Sequence, residues 1–191
     1  MKMKKKLVFA SACALLFFLG PSGFGQQDRK VVEFSGTAGP ASDPASPGLN
    51  NPIRGIVRCV GAGNPAPADR NAPPWCPPDT RTTVKAQVMV GKWATSDPNV
   101  NGTMRWYLNF DVDSATMTGA WWGSFLLEIP GKGTWEGWVW GEQVGFQLSW
   151  RLVGIGTGAF DKSTLMAEAT FEDYSAKPPI IKGRYLEPKA Q

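Results

Sequence analysis

The chain has 191 residues, 12% of them aromatic including nine Trp, with 20 Lys plus Arg against 16 Asp plus Glu and no His. The missing imidazole excludes a Ser-His-Asp triad and His-ligated zinc or iron, and it leaves a cysteine nucleophile without its usual activating base. Lys2, Lys4, Lys5 and Lys6 supply the whole basic excess, and the sixteen remaining basic residues balance the sixteen acidic ones, so the rest of the chain carries no electrostatic footprint for nucleic acid or anionic lipid.

Those lysines precede the apolar run Leu7 to Leu19, and Gly23 and Gly25 put small residues where a signal peptidase needs them. Residues 1–25 therefore read as a secretory signal cut before Gln26, which predicts a secreted or periplasmic protein. A lipoprotein reading at Cys13 is set aside because Leu15, Leu16, Phe17 and Phe18 continue the apolar run beyond it. No other stretch reaches the ~18 apolar residues of a spanning helix. Residues 26–191, about 166 in number, suit one domain with a core of useful size.

The predicted elements are all strands. Val31 to Thr37 is the first, followed by a loop over residues 38–52 rich in Pro, Ser, Ala and Gly. Ile53 to Val60 and Thr82 to Val90 flank a second Pro-rich loop, residues 61–80. This loop lies between Cys59 and Cys76, the two cysteines left after signal removal. An even pair in an exported chain predicts a disulfide, worth roughly 3 kcal/mol in the chain-entropy model. Asp97-Pro98 and Asn101-Gly102 mark a turn before four central strands, and Leu165 to Phe171 and Ile180 to Glu187 close the chain. Nine candidate strands without helical periodicity predict an all-β fold, an antiparallel β-barrel of about eight strands or alternatively a β-sandwich.

Between Met104 and Leu152, short turns set trial registers. A turn at Asp113 to Thr116 places Trp106, Leu108 and Phe110 beside Gly123, Trp121 and Gly119. A turn at Pro130-Gly131-Lys132 sets Leu127 against Trp135 and Phe125 against Gly137, and one at Glu142-Gln143 sets Trp135 against Trp150, Gly137 against Leu148 and Val139 against Phe146. Because side chains alternate at period 2, one face is then consistently apolar. The other collects Arg105, Tyr107, Asn109, Asp111, Trp122, Ser124, Glu136, Trp138, Trp140, Gln147, Ser149 and Arg151. In this register Trp138 faces Gln147, Trp122 faces Tyr107 and Trp140, and Arg151 lies diagonal to Glu136 within ion-pair reach.

What the mixed face does depends on which face points inward. If it lines the lumen, it makes an aromatic pocket with a few polar groups. If the apolar face fills the lumen, the Trp stripe is external and is free to stack on sugar rings or on a protein. Tyr107, Trp122, Glu136, Trp138, Trp140, Gln147 and Arg151 are the candidate ligand-binding residues, and Glu136 is the carboxylate chosen if any residue is catalytic. Gly154 to Gly158 reads as a kinked or bulged strand rather than a nucleotide loop, since it leads into another β-like stretch. Asp111-Val112-Asp113-Ser114 reads as turn capping rather than a calcium loop. No metal or cofactor is expected.

Gly133-Thr134-Trp135-Glu136-Gly137-Trp138 and Gly154-Ile155-Gly156-Thr157-Gly158-Ala159-Phe160 resemble segments of small secreted bacterial β-barrel proteins, distantly like the allene oxide cyclase and calycin barrels. Asp161 and Lys162 stand where such barrels often carry a further glycine. The resemblance implies an eight-stranded barrel and carries over no catalytic residue. Three functions are compatible with this sequence. The first is noncatalytic binding of a small apolar or carbohydrate-like ligand through the Trp-rich face, the second a cofactor-free cyclase or isomerase acting through Glu136, and the third an envelope-associated structural or protein-interaction module.

Overall fold

A computed structural model describes residues 29–61, 76–77 and 80–187, so the expected signal segment with Cys13 and most of the 61–80 loop lie outside the described residues. Ten strands form: β1 (Val31–Gly39), β2 (Asn50–Ile53), β3 (Ile56–Val60), β4 (Arg81–Thr95), β5 (Gly102–Asp113), β6 (Thr118–Ile129), β7 (Gly133–Val144), β8 (Gln147–Gly156), β9 (Thr164–Phe171) and β10 (Ile180–Leu186). The expected single strand Ile53 to Val60 is two, because residues 54 and 55 break the pairing to β4.

Each of β4 to β10 pairs antiparallel with the next, and β1 pairs with both β10 and β4, closing a ring of eight. The closure is uneven. β1 meets β4 only through Gly36–Gly39 against Lys92–Thr95, while Val88 and Val90 pair with β2, and Arg81–Lys85 pair with β3. One edge of a long strand is thus completed by three separate segments. Within β4 the register shifts between Val84 and Gln87, where Ala86 adopts φ +57° and its amide donates to Asn109 Oδ1 at 3.1 Å. This bulge changes the inward phase, from Thr82 and Val84 before it to Gln87, Gly91 and Trp93 after it.

The hairpins correct two of the three trial registers. The β6–β7 turn is as expected, with Leu127 opposite Trp135 and Phe125 opposite Gly137. The β5–β6 loop runs from Ser114 to Met117, one residue later than expected, so Trp106, Leu108 and Phe110 face Phe125, Gly123 and Trp121. Asp113 is the last strand residue and not part of the loop. Its Oδ1 accepts hydrogen bonds from the amides of Ala115 and Thr116 and from the Thr116 hydroxyl, while Met117 takes up the left-handed conformation at φ +54°.

The β7–β8 turn is Gly145-Phe146 rather than Glu142-Gln143, which moves the register by six residues. Gly145, at φ +60°, supplies the positive φ that a tight two-residue hairpin needs at its first central position, and neither Glu142 nor Gln143 does so. Trp135 therefore faces Gly156, Val139 faces Leu152, and Trp150 faces Gly141. Phe146 sits exposed at the hairpin tip instead of opposite Val139. Gly154 and Gly156 lie in regularly paired β8 without a bulge, and the chain then enters a 3-10 turn at Gly158–Phe160.

Both corrected registers move by an even number of residues, so the apolar face keeps its identity, and it faces the lumen. Trp93, Trp106, Trp121, Trp135 and Trp150 are buried there with Leu108, Phe110, Phe125, Leu127, Leu148 and Leu152. Phe110 stacks on Trp121 at 4.1 Å between ring centroids, Trp135 on Phe160 at 4.8 Å, and Trp150 contacts Trp106 at 5.7 Å and Phe171 at 5.2 Å. At one end the 96–101 loop is tied over the rings: Tyr185 donates to Asp97 Oδ2 at 3.0 Å, Trp135 Nε1 donates to the Asn99 carbonyl at 2.9 Å, and Val100 is fully buried. Near the other end, buried Gln143 accepts from Trp121 Nε1 at 2.9 Å and donates to the Gly145 carbonyl at 3.0 Å.

Turn clamping gives an acid-sensitive contribution to stability. Hydrogen bonds from Thr116, amide first and hydroxyl second, hold the Asp113 carboxyl below its ordinary value against a smaller opposing effect of burial. A carboxyl depressed in the folded state stabilises it above the unfolded value, near 4, and loses that contribution as pH falls through the lower folded value. Thermal melts of wild type and Asp113→Ala should accordingly differ at neutral pH and converge as pH falls below about 4. A difference that persists in acid would mean the carboxylate is not the clamp.

Candidate functional site

Because β7 turns its Trp135 side inward, Glu136, Trp138, Trp140 and Glu142 necessarily point outward. Trp138 is 71% exposed, Trp140 44%, Trp122 42% and Tyr107 43%. The Trp-rich face is the outer wall of the barrel. Trp122 stands directly opposite Trp140, as expected from the β6–β7 turn, and opposite Asn109 rather than Tyr107. Facing indoles on neighbouring strands lie about 5 Å apart at their Cβ atoms, and Trp138 follows about 7 Å along the same strand face.

The other expected partners change with the corrected β7–β8 register. Trp138 faces Ser124 and Val153, not Gln147, and Gln147 lies exposed opposite Val144 at the end of the barrel. Arg151 faces Trp140 and forms its ion pair with Glu168 of β9 at 3.3 Å, so the expected Glu136–Arg151 pair does not exist. Both partners are about two-thirds exposed, a setting in which such a pair contributes little to stability. Glu136 instead accepts a hydrogen bond from the Thr134 hydroxyl at 3.0 Å, with Leu126 and Ile155 as its cross-strand neighbours.

Sequence reasoning missed Val153, Ile155 and Met166, which are exposed and extend the apolar surface across β8 and β9, and Glu142, which follows Trp140 on the outer face. The signal that finds them is the glycine at position 145, since placing the turn there brings Val153 beside Trp138. Around this surface the charges pair off: Arg105 with Glu128 at 3.3 Å, Arg81 with Asp111 at 3.0 Å, and Arg151 with Glu168. Charged side chains on the outer face of strand after strand are the reverse of the apolar band that lipid requires of a membrane barrel.

Chemically, the arrangement offers exposed aromatic rings and flanking carboxylates on a convex wall. Glu136 lies on that wall, outside the packed lumen, so confinement of the kind a cyclase or isomerase uses is not built around it among the described residues. A cleft lined by Glu33, Phe34, Ser35, Ser96, Lys182 and Gly183 lies at β1 and β10, on the far side of the ring from β7, and contains none of the expected site residues. No group of three or more His, Cys, Asp or Glu side chains placed to hold a metal occurs among the described residues, and none of their helices is long and apolar enough to cross a membrane. Cys59 and Cys76 are bonded, with Cα atoms 5.5 Å apart. No family profile, curated protein or solved structure matches the chain.

Proposed function

We propose that this is an exported, noncatalytic β-barrel that binds a carbohydrate-like ligand on its outer face, with Trp122, Trp138, Trp140 and Tyr107 as the contact residues. One observation carries the reading: large aromatic rings stand exposed together on one wall of a barrel whose lumen is already filled by five other Trp side chains. Exposed apolar surface of this kind marks binding sites. A pyranose ring presents C–H groups on its face and hydroxyls around its edge, so an indole covers the former while polar neighbours take the latter. Asn109, Glu136 and Glu142 supply such neighbours at the edges of the Trp cluster. A small apolar ligand seeking enclosure fits this convex wall less well than a glycan does.

The test is retention of the purified protein on immobilised polysaccharides, compared with Trp138→Ala. Losing one stacked ring should weaken binding about tenfold, equivalent to about 1.4 kcal/mol, with the thermal midpoint unchanged because the side chain is solvated. Equal retention of wild type and variant would remove the stacking role.

A further inference from the structure

We infer that the glycan taken by this face is neutral rather than acidic, an inference that rests on the preceding reading of the wall as a glycan platform. On its outer side β7 presents Glu136, Trp138, Trp140 and Glu142 in succession, so a carboxylate stands at each end of the indole pair, the two about 20 Å apart at the rise of a strand. Neither carboxylate forms a salt bridge among the described residues. The arginines around the platform are all engaged: Arg151 with Glu168, Arg105 with Glu128 and Arg81 with Asp111. The charge left uncompensated beside the rings is therefore negative.

An acidic polysaccharide laid over Trp138 and Trp140 would bring its own carboxylates toward Glu136 and Glu142 with no uncommitted cation on β7 or on the adjacent β6 and β8, and like charges in such proximity repel. A neutral pyranose chain has only hydroxyls to present, and each is able to donate a charge-assisted hydrogen bond to a carboxylate oxygen while its C–H face covers an indole. The same two carboxylates argue against a dry protein interface here. A protein partner would have to desolvate them, which is why Asp and Glu are depleted from interface cores, whereas a glycan leaves their outer oxygens in water.

The purified protein is applied to cellulose, chitin, mannan and starch as neutral matrices and to alginate and polygalacturonate as acidic ones, at low and at high salt. The Glu136→Gln/Glu142→Gln double variant is tested alongside. The expected result is retention on at least one neutral matrix, insensitive to salt and weakened about threefold to tenfold in the double variant, with no retention on the acidic matrices. Circular dichroism and the thermal midpoint of the double variant should match wild type, since both side chains are exposed. Retention on alginate or polygalacturonate that salt abolishes would overturn the inference while leaving the glycan platform intact. Neutral retention unchanged in the double variant would overturn the role given to the carboxylates. Failure of wild type on every matrix would overturn the platform reading itself.

Discussion

Replacing Trp150 by Ala is expected to cost about 3 to 5 kcal/mol, while replacing Trp138 by Ala should change stability by no more than about 0.5 kcal/mol. Trp150 is 2% exposed and lies among the rings of Trp106, Trp121 and Phe171. Its edge occupies space opened by its partner Gly141, where a Cβ would collide with Trp150 Cδ1 and the Ser149 carbonyl. Truncation leaves a void in a lumen enclosed by strands paired on both sides, which have little freedom to collapse into it. A chain of this size loses about 2 to 4 °C in thermal midpoint per kcal/mol, so the Trp150 variant should melt roughly 6 to 20 °C below wild type. Denaturant unfolding of the two variants side by side decides the matter, and comparable losses would mean that the outer wall is packed as tightly as the lumen.

The indole nitrogens refine this expectation. Trp150 Nε1 is buried without a hydrogen-bond partner, whereas Trp121 Nε1 donates to Gln143. Trp150→Phe removes no bond and relieves a buried donor, so it should recover much of the alanine loss. Trp121→Phe strands the Gln143 oxygen, itself fully buried, and should cost about 1 to 3 kcal/mol from that cause alone.

Period-2 alternation made the two faces of the central sheet legible without a structure, since any even error in register leaves every side chain on its side. That is why Trp122, Trp138 and Trp140 could be grouped correctly although two hairpins were misplaced. Alternation does not say which neighbours touch. The pairing of Trp138 with Gln147 and the approach of Arg151 to Glu136 both follow from a turn at Glu142-Gln143, and the positive φ of Gly145 places the turn three residues later. Nor does it say which face is inside, because glycine partners let rings pack closely on either side. What decides it is capacity: the apolar face carries enough large rings to fill an eight-stranded lumen by itself. The bulge at Ala86 and the division of the β4 edge among β1, β2 and β3 left no mark in the sequence pattern, because each depends on contacts distant along the chain.

The disulfide acts at that divided edge, which sets the last expectation. Cys59 and Cys76 are 17 residues apart, and closing such a loop contributes about 3 kcal/mol by restricting the unfolded chain. Cys59 belongs to β3, whose ladder pairing is with β4 alone and whose residues alternate between exposed and half-buried, so little apolar burial holds it in place. Cys76 is anchored on the barrel side: it is buried, and its amide donates to the Thr82 hydroxyl, which pairs in turn with Ser114. The bond thus fastens a weakly held strand to a buried residue that is itself tied to β4. Cys59→Ala/Cys76→Ala should lower the thermal midpoint by about 6 to 12 °C. The loss should also be local, since segments with few buried contacts open before the rest. Amide exchange should accelerate most in Ile56–Val60 and in the facing Arg81–Lys85, and much less in β6 to β8, each of which is paired along both edges. A uniform acceleration would show that β3 unfolds only with the whole barrel, and an unchanged midpoint together with unchanged exchange would show that the pairing to β4 holds the strand without the covalent link.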